Sequence, residues 1–395
     1  MYNTNMIKNR YLTDFVFKDL QEKMVFISGP RQVGKTTLAY DLMKKKFNNV
    51  SYYNWDNRQD RKDIINSNYI PDTELIVFDE IHKMRKWKSF VKGEYDKLKN
   101  KYKFIVTGSA KLDIYRKKGD SLQGRYHFYR LHPFTLSEII ERKISLDLFK
   151  DLSFDNRYYR NELESIFKFG GFPEPLFKQN EIFLRRWHNE KIERLFREDI
   201  RDVTLVRDLS SMKLLGDLIP ERVSSILSIN SLREDLEISF KAVKLWIEIL
   251  ESFYYIFRIY PYTSTKYKSM KKESKVYLWD WSEVVDESKK FENMIASHLL
   301  KFAHFLKDNL GYKAEVYFLR DLEKREIDFV FEVDGRLWFA VDVKLNEQDV
   351  SSNFKYFAEK LKIPYLYQVV KKENVDKFKN SVRVISASKF LTAFF

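Results

Sequence analysis

The chain contains no cysteine among its 395 residues, which excludes disulfide bonds and zinc sites with cysteine ligands. It has no segment typical of a signal peptide and no apolar run long enough to span a bilayer, so we predict a cytoplasmic protein without membrane contact. Glycine is scarce: eight of the 11 glycines lie at or before position 171, which concentrates tight backbone turns in the first half of the chain.

Acidic residues are outnumbered, with 57 Asp and Glu against 71 Lys and Arg, for a formal net charge of +14. This surplus favours polyanionic partners such as DNA. The chain is also rich in Lys, Asn, Ile, Tyr and Phe, as proteins from AT-rich genomes are, so composition alone can account for part of the charge. The length and the 44% of apolar residues predict two or three domains.

The segment GPRQVGKTT, residues 29–37, fits the P-loop pattern of glycine, four free residues, glycine, lysine and a hydroxyl residue. An apolar run precedes it and a helical apolar pattern follows, which predicts strand, loop and helix. In such a loop, main-chain N–H groups surround phosphates, Lys35 adds a positive charge, and the Thr36 hydroxyl reaches Mg²⁺. The predicted nucleotide-binding residues of the loop are Gly29, Pro30, Arg31, Gln32, Val33, Gly34, Lys35, Thr36 and Thr37.

A second buried strand is predicted at 75–78, and it ends in Asp79 and Glu80, which begin 44 residues beyond Lys35. A nucleotide site needs one carboxylate to hold Mg²⁺ and a second to orient or deprotonate the attacking water. We therefore predict that Asp79 binds the metal and that Glu80 is catalytic. A further strand, SYYNW at 51–55, is predicted between the two motifs.

Another strand, predicted at 102–111, carries Thr107, Gly108 and Ser109, which would lie beside the outer phosphate if the sheet is parallel. Downstream, Arg125 follows Gly124 and is a candidate for the charge-neutralising arginine of phosphoryl transfer, in cis or from a neighbouring subunit. The alternative is an ordinary surface arginine.

The sequence DEIH at 79–82, followed by TGSA, is also compatible with a DExH helicase. Such helicases need a second nucleotide-binding domain with an arginine-rich motif. The residues after position 131 become helical instead, so we exclude this interpretation.

Taken together, GPRQVGKTT, LIVFDEIH, the strand ending in TGSA, GRYHFYRLHPFTLSEI and GGFPEP resemble the prokaryotic AAA+ ATPases, common in archaea, that carry a fused C-terminal domain. The resemblance implies that ATP and Mg²⁺ are held by Lys35, Thr36, Asp79 and Glu80. It also implies a sensor at Ser109 or Thr107; the usual TGSS reads TGSA here, which leaves this choice open.

The middle of the chain, 206–285, predicts three helices followed by a β-hairpin, the pattern of a winged helix. Lys241 and Lys244 lie on the would-be recognition helix. The hairpin loop is basic and contains Lys266, Lys268, Lys271, Lys272 and Lys275. Winged helices either contact DNA or serve as rigid spacers, and both alternatives remain.

The C-terminal part resembles the PD-(D/E)xK nuclease core, with Glu292 on a helix, Asp328 on an alternating strand, and Asp342 and Lys344 at a strand end. The resemblance implies metal binding by Glu292, Asp328 and Asp342. In nuclease chemistry Asp328 and Asp342 would hold Mg²⁺ or Mn²⁺, and Lys344, on the same strand face as Asp342, would steady the attacking water. Gln368 on a later strand could support this site. The alternatives are a retained fold that grips DNA without cutting it and a hairpin with solvated charges.

The predicted fold is α/β. It comprises a P-loop AAA+ parallel-sheet core at 1–138, a helical lid and linker at 139–205, a winged helix at 206–285 and a restriction-endonuclease-like domain at 286–395. The predicted function is Mg²⁺-dependent ATP hydrolysis coupled to DNA binding and processing. The alternatives are a nucleotide-controlled signalling or assembly switch with a non-cleaving C-terminal module, and a scaffold without hydrolysis. A homo-oligomer would let Arg125 act in trans.

Overall fold

The computed structural model describes residues 8–108, 122–201, 208–263 and 273–395. Two compact units make up the chain, Met1–Pro133 and Phe134–Phe395. Ser109 and four of the predicted wing lysines, Lys266, Lys268, Lys271 and Lys272, lie outside the described residues. None of the helices in the described ranges combines the length and apolar character that a membrane crossing requires.

The first unit is built on a parallel sheet. Its strands are β1 (Met24–Ser28), β2 (Val50–Asn54), β3 (Leu75–Asp79), β4 (Lys103–Thr107) and β5 (Tyr126–Arg130). They pair in the order β2-β3-β4-β1-β5, all in parallel. The helices are α1 (Thr13–Asp19), α2 (Thr37–Leu42), α3 (Arg58–Ile65) and α4 (Trp87–Leu98). The predicted strand, loop and helix around the P-loop motif are confirmed.

Strands β1 and β3 are buried at every residue, as expected of central strands in a sheet covered on both faces. Aromatic rings pack against one face, with Phe78 on β3 and Phe104 on β4 stacked at 5.9 Å between ring centroids. Because the strands are parallel, their carboxyl ends meet at one edge of the sheet. The P-loop, Glu80 and Gly108 follow β1, β3 and β4 at that edge.

The second unit begins with helices. They are α5 (Leu136–Ile139), α6 (Arg160–Phe169), α7 (Pro173–Lys178), α8 (Glu181–Arg194), α9 (Leu209–Arg222), α10 (Ile229–Leu236) and α11 (Phe240–Ser252). Strands β6 (Ile256–Pro261) and β7 (Lys275–Leu278) follow, and then the long helix α12 (Glu287–Leu310). Asp286 caps α12 by accepting a hydrogen bond from the Lys289 N–H, and Gly311 ends the helix with a positive φ of 75°.

The remaining strands are β8 (Ala314–Arg320), β9 (Glu326–Val333), β10 (Arg336–Lys344), β11 (Tyr365–Val370), β12 (Asp376–Lys379) and β13 (Val382–Ser386). Helix α13 (Ser352–Leu361) lies between β10 and β11 in sequence, and α14 (Ala387–Phe390) follows β13. The eight strands of this unit form one mixed sheet in the order β12-β13-β11-β10-β9-β8-β6-β7. Phe302 of α12 packs against it, 5.1 Å from the ring of Phe331 on β9.

The hairpin predicted as the wing of a winged helix, β6 and β7, belongs to this large sheet. Strand β6 pairs in parallel with β8 through Tyr260 and Pro261, opposite Tyr317 and Phe318. The segments predicted as two domains, 206–285 and 286–395, therefore contribute strands to one sheet. The main-chain groups at the edge of β8 favour this pairing because it extends the ladder of hydrogen bonds.

The HPFTLSEI stretch, which the sequence placed at the end of the ATPase core, contributes to the second unit from Phe134 onward. Thr135 and Glu138 form a capping box at the start of α5. The Lys301 ammonium of α12 contacts Glu138, and the Leu136 N–H donates to Nε2 of His298 at 3.3 Å. These buried polar contacts attach the start of α5 to α12.

Candidate functional site

The P-loop follows β1 in the conformation that its glycines allow. Gly29 has a φ of 151°, and a Cβ atom there would lie 2.4 Å from the Leu131 carbonyl oxygen. Gln32 and Gly34 also have positive φ angles, of 61° and 96°. Any residue larger than glycine at position 29 would therefore push β1 away from the chain after β5.

Lys35 lies at the centre of the loop. Its Nζ donates hydrogen bonds to the carbonyls of Gly29, at 3.1 Å, and Pro30, at 2.7 Å. The side chain is buried, so the curled main chain surrounds the ammonium group. This arrangement places a fixed positive charge where a P-loop receives the outer phosphates of a nucleotide.

Asp79 is the focus of the polar groups beside the loop. Thr36 Oγ1 donates to Asp79 Oδ2 at 3.1 Å, and Thr107 Oγ1 donates to Oδ1 at 2.5 Å. Thr107 lies directly opposite Asp79 in the β3–β4 register, which is why the two meet. The structure thus brings together Thr36 and Asp79, as the sequence predicts, and adds Thr107, one of the two sensor candidates.

Tyr52 is a contact of Asp79 that the sequence analysis missed. Its hydroxyl donates to Asp79 Oδ2 at 2.6 Å from the neighbouring strand β2. Burial and the adjacent Asp79 carboxylate raise the pKa of the Tyr52 hydroxyl, so the group remains a proton donor. A signal was available: Tyr52 lies in the alternating strand SYYNW, but only the strand order places β2 next to β3.

Glu80 follows β3 with a positive φ of 55°, and its N–H donates to the Thr107 carbonyl at 3.1 Å. Its Oε2 lies 3.5 Å from both His82 Nε2 and Lys83 Nζ. Burial is the main cause that raises the pKa of this carboxyl group. A partly buried carboxyl group next in sequence to the metal-binding candidate, with a raised pKa, is suited to accept a proton from water.

Arg10 is a second residue that the sequence analysis missed. The residue is 4% exposed, and its guanidinium donates to the P-loop carbonyl of Val33 at 2.8 Å. The same group also donates to the carbonyl of His132. The segment before α1 therefore supports the loop from behind. No motif marks Arg10, because its partners are main-chain atoms far away in the sequence.

Arg125 does not lie at the nucleotide site. Its carbonyl accepts a hydrogen bond from the N–H of Met24, the first residue of β1, whereas the P-loop follows the last residue of that strand. Five residues of strand separate the two ends, a distance of about 13 Å. Arg125 instead forms a bidentate pair with Asp96, at 2.8 and 3.1 Å, which lowers the pKa of that carboxyl group. The predicted role of Arg125 in cis is thus wrong for this unit, because β5 carries it to the opposite edge.

The predicted acidic residues of the second unit do converge. Lys344 Nζ lies 2.9 Å from Asp342 Oδ1 and 4.0 Å from Asp328 Oδ2. Asp328 Oδ2 also accepts the main-chain N–H of Val343 at 2.8 Å, so β9 and β10 hold this carboxylate in place. Tyr277 on β7 donates to Glu292 Oε1 at 2.8 Å. We call Glu292, Glu326, Asp328 and Asp342 the carboxylate cluster.

Lys275, counted in the sequence as part of a basic wing loop, lies inside this cluster. Its Nζ is 2.6 Å from Glu326 Oε1, 3.2 Å from Glu292 Oε1 and 3.8 Å from Asp328 Oδ1. The residue is 3% exposed, so it is not available as a surface contact for DNA. Burial disfavours its charge, but Glu292, Asp328 and Glu326 outweigh that effect and raise the pKa of Lys275.

Three buried polar atoms on the Asp342 side of the cluster have no hydrogen-bond partner within the described ranges. Gln368 is fully buried opposite Asp342 in the β10–β11 register, and within the described ranges neither atom of its side-chain amide has a hydrogen-bond partner. Among the same residues, Asp342 Oδ2 has none either. Buried polar atoms left unsatisfied in this way point to an absent ligand or water.

The cluster as it stands does not fit a divalent metal ion. Across the described part of the chain, no group of three or more His, Cys, Asp or Glu side chains has the spacing to hold one. The pKa values of the Glu292 and Asp342 carboxyl groups are both raised to about 7. Burial is the largest cause in each case, and the charge of Asp328 is the second. Lys275 occupies the space between the carboxylates that a metal ion would need.

Comparison with protein families divides the chain into three parts. Residues 21–140 match the family described as an AAA domain. Residues 160–284 and 288–390 match two families described as domains of unknown function, DUF8612 and DUF4143.

Two relatives come from Methanocaldococcus jannaschii, both described as uncharacterised proteins. MJ1544 is 24% identical over 377 residues, and the alignment covers 88% of this chain and 81% of the length of MJ1544. MJ1637 is 24% identical over 295 residues, and the alignment covers 65% of this chain and 60% of the length of MJ1637. Among solved structures, the Thermotoga maritima RuvB Holliday junction branch migration motor is 16% identical. That comparison covers 67% of this chain and 96% of RuvB with a TM-score of 0.32, which supports no functional conclusion.

Proposed function

We propose that this protein is a Mg²⁺-dependent ATPase whose nucleotide cycle acts on DNA. The observation that carries the ATPase proposal is the convergence of Thr36 and Thr107 on the Asp79 carboxylate, beside the P-loop. The match of residues 21–140 to an AAA domain supports it independently.

The residues of the site suit this chemistry. Thr36 and Asp79 would hold Mg²⁺, which supplies charge neutralisation for the phosphates when bound. The loop N–H groups and Lys35 would bind the phosphates, and Glu80 would orient water and accept its proton. Thr107 and Tyr52 hold the Asp79 carboxylate in a fixed orientation, because each donates a hydrogen bond to it.

Release of phosphate from Mg²⁺-ATP tests the ATPase proposal. Lys35→Ala should abolish nucleotide binding, whereas Glu80→Gln should retain binding and lose hydrolysis by about a hundredfold, the contribution of a general base. The matched control is Glu94→Gln, since Glu94 is a buried carboxylate bonded to Ser67 and Tyr69 away from the loop. A fully active Glu80→Gln protein would contradict the assignment of the base.

Binding to DNA is proposed from the net charge of +14 and from the order of elements between α9 and β7. Three helices followed by a hairpin have the order of a winged helix. Ile226, which lies between the first two of these helices in sequence, forms a β-bridge with Lys275 of the hairpin. On α11, the position of a recognition helix, Lys241 and Lys244 are both exposed.

A DNA-dependent rise in ATPase rate separates this proposal from a switch operated by a protein partner. Lys241→Ala with Lys244→Ala should weaken DNA binding and reduce its salt dependence, because two phosphate contacts are lost. Lys97→Ala with Lys99→Ala, an exposed pair in the first unit, is the control for net charge. If both double variants bind DNA alike, α11 is not the contact surface.

A second candidate function concerns the carboxylate cluster. The convergence of Asp328, Asp342 and Lys344 supports a nuclease-like site, whereas the buried Lys275 supports a module that does not cut. Cleavage of linear, forked and four-way DNA with Mg²⁺ or Mn²⁺, compared between wild type, Asp342→Asn and Lys35→Ala, distinguishes them. Cleavage lost in Asp342→Asn would identify a nuclease, and the Lys35→Ala protein would show whether ATP gates it.

A further inference from the structure

We propose that Lys275 is a resident counter-ion of the carboxylate cluster, so that a divalent cation can bind there only when the lysine side chain withdraws. The ammonium group lies within 4 Å of three of the four carboxylates, Glu292, Glu326 and Asp328. This inference rests on the proposed cation site of the second unit, but it concerns metal binding and not cleavage.

Strand β7 holds the lysine in place from two sides. Lys275 is opposite Ile259 of β6 in the antiparallel register, and it also bridges to Ile226. Its side chain shares a strand face with Tyr277, two residues on, and both side chains reach Glu292. The position of Lys275 in the cluster is therefore set by the strand pairing of β7 and not by the rotamer of a side chain on a surface loop.

The two lysines of the cluster serve different carboxylates. Lys344 lies on the side of Asp342, whereas Lys275 lies on the side of Glu292 and Glu326, with Asp328 between the lysines. A buried carboxylate is costly without a counter-charge, and a lysine supplies one without any ligand. A divalent ion would need the oxygens that Lys275 now contacts, because hard cations take six or more oxygen ligands.

The Asp342 side of the cluster has buried polar atoms available to a further ligand. Asp342 Oδ2 and the Gln368 amide are buried and have no hydrogen-bond partners in the described ranges. Both residues face the same side of the sheet, because they are register partners on β10 and β11. Removal of the Lys275 side chain would free the oxygens of Glu292, Glu326 and Asp328, and Asp342 Oδ2 would add a further acidic ligand beside Asp328.

Titration with Mn²⁺ alone, followed by electron paramagnetic resonance of the free ion, tests the proposal on the full-length protein. Lys275→Ala removes both the charge and the side chain that lies between the carboxylates. We expect this variant to bind Mn²⁺ at least tenfold more tightly than the wild type. Adding Asp342→Asn should remove the gain, and the difference between the two variants excludes ions bound at the P-loop.

The control is Lys191→Ala, which removes another lysine from an acidic pair, Asp280 and Glu283, at 3.0 and 2.7 Å. It should gain no Mn²⁺ site. Equal Mn²⁺ affinity of wild type and Lys275→Ala would overturn the proposal. If Lys275→Ala does not fold, the wild type still decides: it should bind as many Mn²⁺ ions as Asp342→Asn, and one more would overturn the proposal.

Discussion

Thr107 donates its hydroxyl to Asp79 Oδ1 at 2.5 Å from the adjacent strand, and Asp79 also receives the hydroxyl of Thr36. Thr107→Val keeps the shape of the side chain and removes this hydrogen bond. We expect kcat for ATP hydrolysis to fall by about ten- to a hundredfold, since a hydrogen bond to a charged group contributes about 1.5 to 3 kcal/mol. Nucleotide affinity should change little, because Thr107 is not part of the P-loop.

Thr107→Ser is the matched control, because it retains the hydroxyl, and its kcat should stay near that of the wild type. The measurement is steady-state phosphate release with nucleotide affinity determined separately. A Thr107→Val protein with unchanged kcat would show that the orientation of Asp79 does not depend on Thr107.

Arg10 holds the P-loop through the Val33 carbonyl at 2.8 Å. The lysine of Arg10→Lys lacks the planar guanidinium that donates to the Val33 and His132 carbonyls together. The P-loop should therefore lose part of its fixed conformation. We expect the dissociation constant for ATP to rise by about tenfold, the equivalent of 1.4 kcal/mol. Arg61→Lys is the control, because Arg61 also donates to a main-chain carbonyl, that of Trp55, but away from the loop. Equal ATP affinities of the two variants would refute a role of Arg10 in the loop.

Arg125 should not contribute to hydrolysis within one chain, because β5 places it at the far edge of the sheet, paired with Asp96. We therefore expect Arg125→Ala to hydrolyse ATP like the wild type at protein concentrations where the protein is monomeric. If an oligomer forms and Arg125 acts in trans, the activity of the wild type will rise with protein concentration and that of Arg125→Ala will not. A loss of activity in the monomer would contradict the observed position.

His298 should make the stability of the protein depend on pH. Burial lowers the pKa of its imidazole to about 4, from an ordinary value of 6.5, and Nε2 accepts the Leu136 N–H. As the pH falls, His298 therefore binds a proton at a higher pH in the unfolded chain than in the folded protein. Stability is complete above pH ~6.5 and is lost as the pH falls toward ~4, by up to about 3 kcal/mol.

Urea unfolding between pH 7 and 4.5 measures this effect. His298→Gln should show a smaller loss of stability over that range than the wild type, by about 2 kcal/mol. Between pH 7 and 9 the two proteins should have the same pH dependence, because the imidazole is then neutral in both states. An unaltered slope in His298→Gln at acidic pH would contradict the prediction.

Lys301 and Glu138 form a buried ion pair inside the second unit, with Lys301 1% exposed. Lys301→Met leaves the Glu138 carboxylate buried without its partner, and we expect a loss of about 3 kcal/mol in the free energy of unfolding. Adding Glu138→Gln should recover most of this loss. The control is Lys168→Met, which breaks an exposed pair with Glu181 and should cost less than about 1 kcal/mol.

Local patterns were enough to predict that the P-loop and Asp79 lie together. The P-loop spacing and the apolar runs before Gly29 and Asp79 each define a strand and the loop at its end, and the carboxyl ends of parallel strands must meet. The three helices before β6 and the alternating strand with Asp328 also follow from periodicity alone. The sequence could therefore assign Lys35, Thr36 and Asp79 to one site.

Three placements did not follow from the sequence. Tyr52 reaches Asp79 only because β2 is next to β3, and Arg125 lies far from the P-loop only because β5 pairs with the start of β1. The sequence predicts that Lys275 belongs to a basic loop, but the pairing of β6 with β8 joins its hairpin to the sheet that carries Asp328.

The sequence by itself determined which residues have the chemistry for nucleotide binding, because the spacing of a P-loop and the end of a hydrophobic strand are local properties of the chain. The tertiary structure alone decided which distant groups meet those residues. Strand order and parallel pairing depend on contacts between segments far apart in sequence, and such contacts leave no periodic signal along the chain. The same pairing decides that Lys275 faces a buried carboxylate cluster instead of solvent.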